Sequence, residues 1–233
     1  MDSIKTLIND GKNNFIFIGG AGSGKSEIAV NFTNYILKEQ EKPVHFFDMD
    51  MTKPLFRSRD LGGQLEKIGI IVHYEEQFMD APTLVGGTKE LLKNKDCYVV
   101  MDVGGDHIGA RAIGGVMSGI NRDKTVIYYV LNAFRPWSDD ILHIDETLGE
   151  ILSSAHVKVE ELHLINNPNF GYTTTLKEAQ EGFLRMRELT SPYRLMDFTC
   201  IREELYEEAK QEIDMELMPL HLYLTYPWLA KEA

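Results

Sequence analysis

Phe15-Ile16-Phe17-Ile18-Gly19-Gly20-Ala21-Gly22-Ser23-Gly24-Lys25-Ser26 has the spacing G-x-x-x-x-G-K-S, with Gly19, Gly24, Lys25 and Ser26 at the fixed positions. An apolar β-type run precedes it. Behind it Ile28, Phe32 and Ile36 recur at i, i+4 and i+8 with Ala29 beside them, which predicts a helix with one apolar face. Strand, glycine-rich turn and helix, in that order, are the context in which this spacing cradles phosphate. Glycines let the backbone curl until successive N–H groups converge, and the helix N-terminus adds its positive end. Gly20, Ala21, Gly22, Ser23, Gly24 and Glu27 are therefore expected around the phosphates of a nucleotide. Lys25 is expected to reach the β- and γ-phosphates as a catalytic cation, and the Ser26 hydroxyl to complete a Mg²⁺ shell.

Composition narrows the partners. A chain of 233 residues suits one α/β domain, residues 1–233, with a full core. A net charge of −12 argues against a nucleic-acid surface, which needs a basic stripe, and against adhesion to anionic lipid. The two cysteines, Cys97 and Cys200, lie far apart in strand-like runs and read as buried thiols in a reducing compartment. The seven histidines are scattered, with no metal-ligand spacing. No apolar run approaches the ~20 residues of a membrane span, and the first residues have neither a basic nor an apolar leader region, so a cytoplasmic location is expected.

Outward from the phosphate loop, apolar strand runs alternate with helical patterns. Strands are expected at 14–18, 44–47, 70–72, 97–101, 125–131, 161–165, 193–200 and near 220–224. Residues 51–69 show no period, and Ser138 is placed to cap the helix whose face is Ile141, Ile144, Leu148 and Ile151. Tyr172–Thr175 reads as the N-cap region of the next helix. The alternation predicts a three-layer, doubly wound α/β fold with a mostly parallel sheet and its site at the strand C-termini.

Three strand ends carry polar residues there. Asp48-Met49-Asp50 ends the second strand, where an acidic residue beside a phosphate loop holds a Mg²⁺-bound water or orients the attacking water. An isolated turn aspartate has a simpler use as a cap, but two together beside the loop favour the functional role. Asp102-Val103-Gly104-Gly105 follows another apolar strand and has the form of a metal-side aspartate with a glycine switch that senses a γ-phosphate. Asn166-Asn167-Pro168 is equally a base-reading amide or a simple turn. Arg57-Ser58-Arg59-Asp60 is a solvated charge cluster or a clamp for an acidic group, and His107 has no identifiable proton partner.

In this order the loop Gly19–Ser26, the Asp-x-Asp strand end followed by Pro54, the Asp102-x-Gly-Gly switch and the late Asn-ended strand resemble the MinD/ParA/CobQ-type branch of P-loop ATPases. That branch shares a class with nitrogenase iron protein and the signal-recognition GTPases. The resemblance implies that Asp48 partners Mg²⁺ through its water shell, that Asp102 is the switch aspartate on the metal side, that Asp50 positions the attacking water, and that Asn166 or Asn167 contacts adenine. It departs at Gly20, where that branch carries a second lysine that reaches across a dimer; Lys53 or Arg57 stands as a substitute charge. N-K-x-D is missing after every late strand, so ATP is favoured over GTP. The 220–228 stretch, with Pro227 inside it, is not a basic amphipathic membrane helix.

The reading is a Mg²⁺-dependent ATP/ADP-binding switch, a slow ATP hydrolase read by a protein partner and possible as a homodimer. The alternative is a small-molecule kinase or a CobQ/dethiobiotin-synthetase-like ligase holding an acidic substrate with Arg57 and Arg59. A third option is a non-hydrolysing nucleotide-binding scaffold.

Overall fold

A computed structural model describes residues 1–49, 61–74, 82–104, 120–193 and 196–224. Among the described residues eight strands form one sheet: β1 (Asn14–Ile18), β2 (Val44–Met49), β3 (Ile71–Tyr74), β4 (Tyr98–Val103), β5 (Thr125–Leu131), β6 (Leu162–Asn166), β7 (Phe198–Arg202) and β8 (Leu217–Leu220). The helices among the described residues are α1 (Asp2–Asn9), α2 (Lys25–Glu39), α3 (Gly62–Lys67), α4 (Pro82–Lys93), α5 (Ile141–Ala155), α6 (Leu176–Thr190) and α7 (Tyr206–Glu212). The strand order is β3-β2-β4-β1-β5-β6-β7-β8, and every pairing is parallel. This is the α/β P-loop fold that the sequence leads one to expect.

The order explains where the site falls. Strand order runs outward from β1 in both directions, through β4 on one side and β5 on the other, so the crevice beyond the β1 C-terminus is a topological switch point. β1 and β5 are buried along their whole length, as their unbroken apolar sequences require of strands covered on both faces.

Side chains alternate between the two faces. On one, Phe15, Phe17, Phe46, Val100, Val126 and Tyr128 pack under the Ile28, Ala29, Phe32 and Ile36 stripe of α2. Phe32 meets Phe15 and Phe17 at ring-centroid distances of 4.8 and 5.2 Å, and each buried ring contributes roughly 1.5–3 kcal/mol. On the other face, Ile16, Ile18, Met101, Tyr129, Leu131 and Leu164 pack with Ile144, Leu148 and Phe183.

Four local expectations change. A helix, α3, lies at Gly62–Lys67, inside the stretch that lacks sequence period; with six residues it is too short to display one. The cap of α5 is Asp140, whose carboxylate accepts from the His143 N–H at 2.9 Å; Ser138 instead ends a 3₁₀ turn and donates its hydroxyl to the Asn132 carbonyl. β7 begins at Phe198, not near Tyr193, where Tyr193 still bonds back to the Thr190 carbonyl after α6. The last strand is Leu217–Leu220, and residues 221–224 run along α2 instead. Thr175 caps α6 in a reciprocal box with Glu178, as expected.

Candidate functional site: the phosphate loop and its surround

Residues 19–24 connect β1 to α2 in a turn that only small residues fit. A Cβ on Gly19 would meet the Val130 carbonyl oxygen at 2.6 Å. Gly24, the N-cap of α2, has φ +92°, and a Cβ there would sit 2.0 Å from Asn167 Nδ2. Ser23 N–H donates to the Gly20 carbonyl at 3.1 Å and closes the turn. Lys25 and Ser26 open the helix fully buried, at 0% and 3% exposure, so the cation and the hydroxyl sit inside the strand-end crevice.

The register carries the two aspartates to the same place. Asp48 on β2 pairs with Asp102 on β4, and Asp102 pairs with Phe17 on β1. Partners in a parallel ladder share a face, so both carboxylates continue the face covered by α2, one and two strand spacings (about 4.8 Å each) from β1. They are 2% and 1% exposed. Two buried carboxylates, a hydroxyl and a buried ammonium at a helix N-terminus make a hard oxygen donor set with a compensating cation, which fits Mg²⁺ and not a softer metal. Asp50, Lys53, Arg57, Arg59, Gly105 and His107 lie outside the described residues.

The asparagine loop after β6 splits into distinct tasks. Asn166 is fully buried on the face opposite α2, its amide 3.4 Å from Thr199 Oγ1. Asn167 donates its amide to the Ser23 carbonyl at 2.6 Å, so it clamps the phosphate loop. Asn169, which the sequence reading passed over, donates its amide to Asn167 Oδ1 at 2.6 Å and to the Cys200 carbonyl at 3.1 Å. Its Oδ1 is buried without a hydrogen-bond partner among the described residues. That leaves a neutral acceptor beside the loop.

The loop after β5 is a second omission. Arg135 Nε donates to the Gly22 carbonyl at 3.0 Å, and a Cβ on Gly20 would meet Trp137 at 3.3 Å. Asn132 donates to the Asn169 carbonyl at 2.9 Å and Phe134 stacks on Phe170 at 4.0 Å, so the β5 and β6 loops form one support. The strand-end rule that singled out Asp48 and Asp102 covers Arg135 equally well, since it lies four residues past β5.

Glu27 turns away from the loop. Its carboxylate accepts the Tyr223 and Leu224 N–H groups at 2.7 and 3.1 Å, and burial pushes its pKa up to about 7 despite those bonds. Asn31 pairs with both backbone groups of His221, and Asn34 donates to the Tyr223 hydroxyl at 2.9 Å. One helix face thus straps residues 221–224 down. Elsewhere, Asp139, Asp140 and His143 lie close enough to share a cation, but His143 Nδ1 bonds Asp139 at 2.7 Å and Asp140 caps α5, which accounts for the group.

No protein-family model matches the chain, and no curated protein matches it. Solved structures do. Signal Recognition Particle 54 kDa protein from Aeropyrum pernix, in complex with GDP, is similar at TM-score 0.51 and 16% identity over 81% of this chain and 41% of that one. Chloroplast FtsY from Physcomitrella patens is similar at TM-score 0.50 and 12% identity over 81% of this chain and 58% of that one. FlhF complexed with GMPPNP and Mg²⁺ follows at TM-score 0.48 and 16% identity, over 78% and 69%. The chain spans under three fifths of the length of the first two. At these identities the likeness is one of fold alone.

Proposed function

We propose that the chain binds a Mg²⁺–nucleoside triphosphate at Gly19–Ser26 and acts as a slow hydrolytic switch whose triphosphate state is read by a protein partner. The observation that carries this reading is the convergence of buried Lys25 and Ser26 with Asp48 and Asp102 at the end of three adjacent strands. Backbone N–H groups of the loop and the α2 N-terminus hold the phosphates, and Lys25 neutralises the β- and γ-oxygens. Ser26, Asp48 and Asp102 hold Mg²⁺, directly or through water. When bound, the ion neutralises charge on the terminal phosphates.

The base is ATP's adenine in this reading. The protein of known structure with the GDP complex is a relative in fold only, and guanine offers two adjacent donors that a carboxylate accepts together. The loop 166–171 contains no carboxylate; Asn169 offers one neutral oxygen. The MinD/ParA branch keeps a place as the functional analogy for an ATP-driven switch, without its second lysine. A homodimer formed only with triphosphate belongs to the same proposal.

Equilibrium titration with ADP–Mg²⁺ and AMPPNP–Mg²⁺, alongside light scattering, tests it. Wild type is expected to bind both, Lys25→Ala to lose at least tenfold in triphosphate affinity, and turnover to stay slow without a partner. Failure of wild type to bind any Mg²⁺ nucleotide overturns the proposal. Rapid turnover triggered by a small acid instead points to the ligase or kinase alternative.

A further inference from the structure

On the nucleotide-site reading above, we infer that Arg135 contacts the terminal phosphate in cis, from the Gly22 side of the loop. The phosphate loop leaves β1 between two neighbours. On the β4 side stand the carboxylates Asp102 and Asp48; on the β5 side stands Arg135. The phosphates of a ligand in the loop lie between a metal-holding side and a cationic side.

The guanidinium is placed, not merely nearby. Its Nε donates to the Gly22 carbonyl at 3.0 Å, and Nε and Cδ would lie 3.6 and 3.7 Å from a Cβ on Gly22, so the stem runs flat along the crown of the loop. Loop N–H groups turn inward to phosphate and carbonyls turn outward, and an arginine held by one outward carbonyl keeps its remaining donors in the same plane at the rim. The backbone is fixed as well: Arg135 N–H bonds the Asn132 carbonyl at 3.0 Å, and the Arg135 carbonyl accepts from Ser138 N–H at 3.0 Å. Among the described residues Arg135 makes no ion pair, in a chain with 36 acidic and 24 basic residues. A half-buried guanidinium without a carboxylate is suited to an anion that arrives from outside.

Trp137 closes the other side of the loop. A Cβ on Gly20 would lie 3.3 Å from Trp137 Cβ and 3.4 Å from its Cδ1, so a long side chain at position 20 has to displace the indole. A cation on the β5 side of the phosphate loop therefore comes from the β5 loop itself, over Gly22.

The test compares Arg135→Gln, which keeps an N–H donor for the Gly22 carbonyl, with Arg135→Ala. Affinities are measured for ADP–Mg²⁺ and AMPPNP–Mg²⁺, and for the matching guanine pair, together with turnover and melting temperature. Both variants are expected to hold the diphosphate within about threefold of wild type while losing about ten- to a hundredfold for the triphosphate analogue and in turnover. Equal losses for di- and triphosphate, or full recovery of triphosphate affinity in Arg135→Gln, reduce Arg135 to a prop for the loop and overturn the inference. Wild type that binds neither nucleotide overturns the nucleotide site itself, a result separable from a failure of Arg135 alone.

Discussion

The Asn167 side-chain amide donates to the Ser23 carbonyl at 2.6 Å and lies where a Cβ of Gly24 would be, joining two loops 144 residues apart. The glycine that opens α2 is therefore fixed twice, by its φ of +92° and by the amide above it. Gly24→Ala is expected to destabilise the fold by on the order of 2–4 kcal/mol and to abolish nucleotide binding. Asn167→Ala removes two buried hydrogen bonds, the one it donates to the Ser23 carbonyl and the one it accepts from the Asn169 amide, and is expected to cost about 1–3 kcal/mol. In the double variant the overlap is gone and only the backbone strain remains, so its cost falls below the sum of the singles. Additive costs in urea unfolding would show that the two residues do not share this contact.

Asp48 and Asp102 are in register and buried, and Asp102 is one strand from β1. Asp102→Asn is expected to lower AMPPNP affinity at least tenfold in Mg²⁺ while leaving affinity in excess EDTA within about threefold, because only the metal-dependent part of binding is lost. Asp48→Asn is expected to act in the same direction. A variant weakened equally with and without Mg²⁺ argues for a structural carboxylate.

Away from the site, His45 and His73 give the sheet edge a pH dependence. Their rings meet at 2.9 Å between Nδ1 and Nε2, His73 stacks on Phe47, and burial together with the neighbouring imidazole lowers the His73 pKa from 6.5 to about 4. A histidine depressed in the folded state binds fewer protons than in the unfolded chain, so its stabilisation is present above pH 6.5 and lost as pH falls toward 4. Between pH 7.5 and 5, that loss is about 2 kcal/mol at most. His73→Gln is expected to flatten this part of the stability profile; parallel melting curves for variant and wild type across the window refute the assignment.

Much of the fold was legible because one signal repeats. β1 and β5 are covered on both faces and read as unbroken apolar runs; α2 shows its stripe at Ile28, Phe32 and Ile36. Asp48 and Asp102 were legible for the same reason, as polar residues ending apolar strands. What sequence hides is contact between distant loops. Nothing in Asn166-Asn167-Pro168-Asn169 says that Asn167 is spent on Ser23 or that Asn166 faces away from α2. Arg135 and Trp137 look like ordinary turn residues until the β5 loop is seen lying on Gly20 and Gly22. Glu27 sits inside the motif by position, yet its partners are Tyr223 and Leu224, almost two hundred residues on.

On the adenine reading, Asn169 is the residue at which base choice is tested. Both amide hydrogens are committed, to Asn167 Oδ1 and the Cys200 carbonyl, and 7% of the residue is exposed. A buried Oδ1 without a partner among the described residues costs stability, roughly 1–3 kcal/mol, unless a ligand donor satisfies it. The adenine N6 amine supplies one such donor. Guanine presents two parallel donors, N1–H and N2–H, whose spacing the two oxygens of a carboxylate match and a single amide oxygen matches poorly. ADP is therefore expected to bind about ten- to a hundredfold more tightly than GDP in calorimetric titration, and Asn169→Ala to compress that ratio toward one. In the variant the Asn167 clamp loses a neighbour as well, so overall affinity for both nucleotides is expected to drop a few-fold, while the ratio reports on the base alone. An unchanged ratio in Asn169→Ala removes this residue from base recognition, and a wild type that prefers GDP reverses the choice of nucleotide while leaving the phosphate and metal sides of the site intact.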